Sequence, residues 1–244
     1  MRDLASLRVK IFADGADLQA MKALYANPLV RGFTTNPTLM KAAGVTDYVA
    51  FAHKVLAGIP DRPVSFEVFA DDFGEMEHQA CEIASWGRNV NVKIPVTNTK
   101  GEFCGPLVSR LSKRGVQVNV TAVFTLDQVQ RICDALHPGT PAIVSVFAGR
   151  IADCGIDPVP LMATAAHIMK MRPNAELLWA SPRELLNIFQ ADQVGCGIIT
   201  VTNEVIKKLQ LIGKDQEVYS LETVKMFWND ARAAGFSIEV PVAA

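Results

Sequence analysis

The stretch NVNVKIPV, residues 89–96, alternates between two kinds of side chain. Val90, Val92, Ile94 and Val96 share one face and Asn91, Lys93 and Pro95 share the other, the period of two of an extended strand. Strands enclosed between a parallel-sheet interior and a helical shell normally read as almost continuous Val, Ile and Leu. Here one whole face breaks that rule, and the break recurs. In 116–123, Val116, Val118, Val120 and Ala122 oppose Gln117, Asn119 and Thr121. In 142–148, Val144, Val146 and Ala148 oppose Ser145 and Phe147; in 64–69, Val64, Phe66 and Val68 oppose Ser65, Glu67 and Phe69. The apolar faces are expected to meet helices, which turns the polar faces toward a common interior.

Outward from these strands, β-branched runs at 9–14, 32–35, 176–180 and 195–201 complete a set of eight. Helix-period stretches follow them at about 17–26, 45–57, 73–86, 102–114, 125–136, 157–171, 183–190 and 202–212. Eight strand–helix units predict a parallel sheet closed into an α/β (β/α)8 TIM barrel, one domain over residues 1–244. An open doubly wound sheet is the competing architecture, but the chain has no Gly-x-Gly-x-x-Gly or Walker sequence. An additional C-terminal helix is expected at 220–235, capped by Ser220 and with Glu222 in its first turn. Its stripe of Leu221, Val224, Phe227, Trp228 and Ala231 packs either across its own barrel or on a neighbouring subunit.

The bulk numbers fit a single barrel. The 244 residues are 50% apolar, with 24 basic and 25 acidic side chains and a formal charge of -1. Without a basic stripe the chain does not read as a nucleic-acid binder. No apolar run is long enough to span a bilayer or serve as a secretory signal. Cys81, Cys104, Cys133, Cys154 and Cys196 are odd in number and lack a Cys-x-x-Cys pair, which suits reduced thiols in a cytoplasmic protein. His53, His78, His137 and His167 fall in or just after helical stretches with no zinc-ligand spacing, so no metal is expected. A Gly-x-Ser-x-Gly elbow is also missing.

Burying Lys93 and Glu67 beside Asn119, Thr121 and Ser145 costs several kcal/mol per ion unless these groups satisfy one another or a ligand. Most lie toward the C-terminal halves of their strands, where barrel enzymes build their sites. Lys93 either attacks a carbonyl from a dry cavity or holds a phosphate as a cation. Asp14, ending the first strand, is a candidate general base or a helix cap. Glu67 is a proton relay or simply the partner of Lys93, with Thr121 extending the chain. Arg150, and Ser181 with Arg183, follow strands six and seven and suit an anion. Surface pairing of Arg183 with Glu184 or Glu204 is the alternative.

Four segments in this order resemble the transaldolase family of Schiff-base aldolases: GFTTNPTLM at 32–40, NVNVKIPVTNTKG at 89–101, VNVTAVF at 118–124 and SVFAGRI at 145–151. The similarity runs from about residue 9 to residue 235. It implies a cofactor-independent enzyme acting on phosphorylated ketose and aldose substrates. Lys93 is then the imine-forming lysine and Asp14 the acid/base, with Glu67 and Thr121 positioning a catalytic water. Thr34, Asn36, Asn119, Ser145 and Phe147 correspond to substrate-binding positions, and Arg150, Ser181 and Arg183 to the phosphate group.

The chain resembles the family's shorter branch, which includes fructose-6-phosphate aldolases and often forms decamers with exchanged C-terminal helices. A homo-oligomer is therefore expected. Two side chains are similar to transaldolases: Glu67, where the aldolases tend to carry Gln, and Phe147, where they tend to carry Tyr. The implied reaction passes a dihydroxyacetone unit from sedoheptulose 7-phosphate to glyceraldehyde 3-phosphate, giving erythrose 4-phosphate and fructose 6-phosphate. Release of free dihydroxyacetone and a silent sugar-phosphate sensor are the alternatives. The WASPRE segment at 179–184 departs from the usual transaldolase pattern.

Overall fold

The computed structural model describes residues 4–239; residues 1–3 and 240–244 of the expected 1–244 domain lie outside the described residues. The strands are β1 (Lys10–Asp14), β2 (Val30–Thr34), β3 (Val64–Glu67), β4 (Val90–Pro95), β5 (Val118–Val123), β6 (Ala142–Val146), β7 (Ala175–Trp179) and β8 (Ile198–Thr202). All pair in parallel in sequence order, and β1 also pairs β8, so the sheet closes. The expected eight-stranded barrel is the observed one.

Helices surround it: α1 (Leu18–Tyr25), α2 (Pro37–Ala42), α3 (Tyr48–Gly58), α4 (Phe73–Ser85), α5 (Gly105–Lys113), α6 (Leu126–Ala135), α7 (Ala148–Asp153), α8 (Pro158–Met169), α9 (Leu186–Val194), α10 (Asn203–Lys207) and α11 (Gln216–Ala233). Their starts are written locally. Asp17, Asp47, Asp72 and Asp157 accept hydrogen bonds from first-turn amides, and Thr125 with Gln128 forms a capping box. No described helix is long and apolar enough to cross a membrane. The five cysteines are unpaired.

The two strand faces separate as their alternation predicts. Val64, Phe66, Val92, Ile94, Val118, Val120, Val144 and Val146 belong to one continuous core between sheet and helices. A second, smaller cluster of Phe12, Ile143, Leu178, Ala180 and Ile198 fills the barrel interior. Phe12 fits there because residue 32 is glycine: a Cβ at that position would stand 2.5 Å from the phenyl ring. Phe12, Ile143 and Ile198 come from the N-terminal and middle parts of their strands, while Leu178 and Ala180 reach the mouth of the barrel. Asp14, Thr34, Glu67, Lys93, Thr121 and Ser145 occupy the C-terminal halves of their strands, with Asn119 and Ser65 a step deeper.

Four features differ from the sequence reading. The short helices α2 and α7 occupy segments expected to be loop or strand. Asn36 capping a helix that begins at Pro37 is a recognisable start signal for the first. Phe69 does not point inward, because β3 ends at Glu67; the ring is 52% exposed and packs against Tyr48. Ala122 takes a positive φ of 58°, and the β5–β6 register shifts between Val120 and Val123. This bulge turns Ala122 toward the barrel mouth and returns Val123 to the outer core.

The largest correction concerns the C-terminal helix. It starts at Gln216, earlier than expected, because Asp215 caps it by accepting from the Glu217 and Val218 amides. Glu222 lies beyond the first turn and pairs with Lys214. No residue of α11 is buried, and Phe227 and Trp228 are 64% and 59% exposed. The stripe does not pack across its own barrel.

Candidate active site

Asp14 from β1, Thr34 from β2, Glu67 from β3, Lys93 from β4, Asn119 and Thr121 from β5 and Ser145 from β6 converge on one cavity of about 390 Å³. Asn36, Phe147, Arg150 and Ser181 complete its rim. All these sequence candidates are brought together; Arg183 is not. The volume suits a small metabolite, and the position is the C-terminal mouth of the barrel.

Lys93 is the centre of the arrangement. Its side chain is buried, its Nζ lies 3.1 Å from Glu67 Oε2, and it donates to the Thr35 carbonyl at 2.9 Å. The strands are in direct register here, Glu67 beside Lys93 and Lys93 beside Asn119, so neighbouring side chains meet without loop rearrangement. Asp14 accepts from the Thr34 hydroxyl at 2.7 Å. Burial pushes its carboxyl above the ordinary range; the Thr34 hydrogen bond and the Lys93 charge oppose that rise, and Glu67 adds to it. The cavity therefore combines an amine, an adjacent carboxylate and a second acid biased toward holding a proton.

The remaining polar groups are oriented by one another. Ser145 donates to Asn119 Oδ1 at 2.7 Å, and Asn119 Nδ2 donates to Ser65 Oγ at 3.1 Å. One Asn119 N–H is left for a ligand. Asn36 uses its amide oxygen to cap α2 at the Leu39 amide, which leaves its NH2 to the cavity. Thr121 Oγ1 is buried and has no hydrogen-bond partner among the described residues. A buried hydroxyl left in that state costs about 1–3 kcal/mol, which a water or substrate oxygen would offset.

At the opposite rim Arg150 stacks over Phe147, 5.3 Å from the ring centroid, and makes no ion pair among the described residues. Phe147 also packs against Phe124. The loop after β7 presses on the start of α7: Gly149 donates to the Ala180 carbonyl, and any Cβ at 149 would stand 1.5 Å from the Ser181 carbonyl oxygen. Only glycine allows Ser181, itself at φ 56°, to close beside Arg150. Arg183 instead grips Asp153, its Nε 2.8 Å from Oδ1, and this guanidinium holds the Asp153 carboxyl below its usual range. Its partner is neither of the two glutamates considered from sequence.

A sequence profile described as transaldolase/fructose-6-phosphate aldolase matches residues 11–240. The chain belongs to that family. Among curated relatives it is 38% identical to a probable transaldolase of Dehalococcoides mccartyi, over 82% of this chain and 90% of that protein. It is 35% identical to a probable transaldolase of Streptococcus agalactiae, over 82% and 89% of the two chains. Solved barrels of much lower identity share the fold. A putative phosphonomutase from Burkholderia cenocepacia superposes with a TM-score of 0.55 at 11% identity, covering 91% of this chain and 94% of that one. KGPDC from Streptococcus mutans also gives 0.55, at 12% identity, covering 83% and 91%.

In this transaldolase-family chain three contributors escaped the sequence reading. Ser65 was noted on an inward face without a role, and it fixes Asn119. Thr200 lines the cavity and contacts Thr34; the alternation of Ile198, Thr200 and Thr202 carried that signal. Tyr48 left none, since it sits on α3, yet its hydroxyl donates to the Glu67 carbonyl and accepts from the Glu67 amide. Burial pushes the Tyr48 phenol well above its ordinary pKa, so it stays a neutral clamp.

Proposed function

We propose that the protein is a transaldolase that carries a dihydroxyacetone unit between sugar phosphates on Lys93. The observation that supports this most directly is Lys93 Nζ held beside Glu67 in a cavity that also contains Asp14. Glu67 is placed to take a proton from the ammonium, and the free amine adds to C2 of the ketose. Loss of the C2 oxygen as water gives an iminium, with Glu67 and Thr121 holding that water. Asp14 removes the C4 hydroxyl proton, the C4 oxygen forms a carbonyl, and the C3–C4 pair moves into the iminium as an enamine. The aldose phosphate leaves. The enamine then attacks a second aldehyde, Asp14 returns its proton to the new hydroxyl, and water releases the product ketose.

What favours transfer over release of free dihydroxyacetone is the wall beside the intermediate. Phe147 offers no proton to the enamine, and with Phe124 it keeps that side of the cavity dry. With fructose 6-phosphate as donor and erythrose 4-phosphate as acceptor, sedoheptulose 7-phosphate should form faster than free dihydroxyacetone. Phe147→Tyr should raise release relative to transfer, because a phenol can orient water and donate a proton. Rapid release by the unmodified protein, indifferent to acceptor, assigns it to the aldolase reaction instead.

The same reading makes the chain a homo-oligomer, with a decamer the favoured form. The apolar side chains of α11 are exposed, and burying one such side chain contributes about 1.5–3 kcal/mol. Helices in proteins draw most of their stability from tertiary packing of an apolar face, and α11 has no buried residue in its own chain, so a second copy is the natural cover. Analytical ultracentrifugation should find an assembly that Phe227→Glu with Trp228→Glu dissociates. A monomer before mutation contradicts this.

A further inference from the structure

We infer that Thr200, on β8, is a positioning residue for the acid/base step: it holds the Thr34 hydroxyl in the orientation that serves Asp14. Thr200 is buried and lines the cavity, and its Oγ1 is in hydrogen-bond contact with Thr34 Oγ1. Thr34 Oγ1 in turn donates to Asp14 Oδ1 at 2.7 Å. A threonine hydroxyl has a single proton and accepts through its lone pairs. While Asp14 is ionised it can only accept, so the Thr34 proton points to Asp14 and the Thr200 proton must point to Thr34. When Asp14 becomes protonated, the direction can reverse, with Asp14 donating to Thr34 and Thr34 to Thr200. Both protonation states are then satisfied by rotation of two hydroxyls, with no movement of heavy atoms.

The three residues come from adjacent strands, β8, β1 and β2. Thr200 is in register with Phe12, and Asp14 with Thr34. The Phe12 ring packs over Gly32, two residues before Thr34 on β2. The charged groups that bear on Asp14 are Lys93 from β4 and Glu67 from β3, with Arg150 at the far rim of the cavity. Among these influences the Thr34 hydrogen bond lowers the pKa of Asp14 and burial raises it. Without Thr200, the Thr34 hydroxyl loses its donor and is free to rotate away. Asp14 is then left with burial less opposed, so its carboxyl ionises at higher pH.

This rests on the reading of Asp14 as the proton acceptor of bond cleavage. The test compares unmodified protein, Thr200→Val, Thr200→Ala and Thr200→Ser in transfer from fructose 6-phosphate to erythrose 4-phosphate across pH. Borohydride capture of the lysine adduct is measured in parallel. In Thr200→Val and Thr200→Ala the acid limb of kcat/KM should move to higher pH, with about tenfold more activity lost at the acid end than on the plateau. Adduct yield on the plateau should persist, and Thr200→Ser should bring the limb back. An unmoved limb in either hydroxyl-free variant, or equal loss at every pH, overturns the proposal. Asp14→Asn separates the two readings. If it cleaves at the unmodified rate, the role of Asp14 has failed and that of Thr200 with it. If it is inactive while Thr200→Val keeps its acid limb, only the inference about Thr200 fails.

Discussion

Replacing Lys93 with alanine is expected to abolish borohydride capture of a ketose phosphate and to lower kcat/KM by about 10⁴-fold or more. The size of the effect follows from what is removed. Without an imine, the C3–C4 electron pair has no acceptor, and general acid–base catalysis alone typically supplies about 10²–10⁴-fold. The substitution also leaves Glu67 without its cation in a site where that carboxylate is 19% exposed. Some loss of stability is therefore expected, below the roughly 3–5 kcal/mol of a fully buried broken pair. Lys93→Arg separates the two effects: a guanidinium can still pair with Glu67 but cannot form the imine. Intact-protein mass spectrometry after reduction should show the substrate adduct on the unmodified chain and on neither variant. An adduct of equal yield on Lys93→Ala would falsify the assignment.

Arg150→Ala should cost about 2–5 kcal/mol in kcat/KM for a phosphorylated substrate, roughly a 30- to 5,000-fold loss. Because Arg150 is exposed at the rim, solvent and salt screen its charge, which places the effect toward the low end of that range. Activity on the dephosphorylated sugar should change far less. Arg183→Ala should have a much smaller effect, because its guanidinium is already committed to Asp153 outside the cavity. Equal losses on phosphorylated and dephosphorylated substrates remove Arg150 from the phosphate site. A loss with Arg183→Ala as large as with Arg150→Ala would mean that substrate draws Arg183 away from Asp153.

Much of the site could be read before the fold because strand alternation is a local property. Lys93, Glu67, Asn119, Thr121 and Ser145 each sit opposite apolar neighbours one residue away, and a period of two needs no tertiary information. Asp14, Arg150 and Ser181 were found because they lie at or just after strand ends, where a closed barrel gathers its loops; Phe147 came from the alternation of its strand, and Asn36 only from the family resemblance of GFTTNPTLM. The reading lost accuracy where geometry depends on contacts between distant segments. Ala122 departs from the alternation through a bulge against β6, and Tyr48 reaches Glu67 from another element. Arg183 finds Asp153 across thirty residues of sequence.

What the sequence by itself determined is therefore the barrel, the identity of its polar inward face and the lysine at its centre. Hydrophobic periodicity specifies which face is buried, and the count of strand–helix units specifies closure. Only the tertiary structure decided which polar groups satisfy one another. Ser145 turns Asn119, Thr34 serves Asp14, and Thr121 remains unpaired among the described residues, because these outcomes depend on lateral register between strands and on the direction of single protons. The same holds for α11. Its apolar stripe is legible in the chain, but whether the barrel has room for it is a matter of packing among residues far away in sequence, and here the barrel leaves it in solvent.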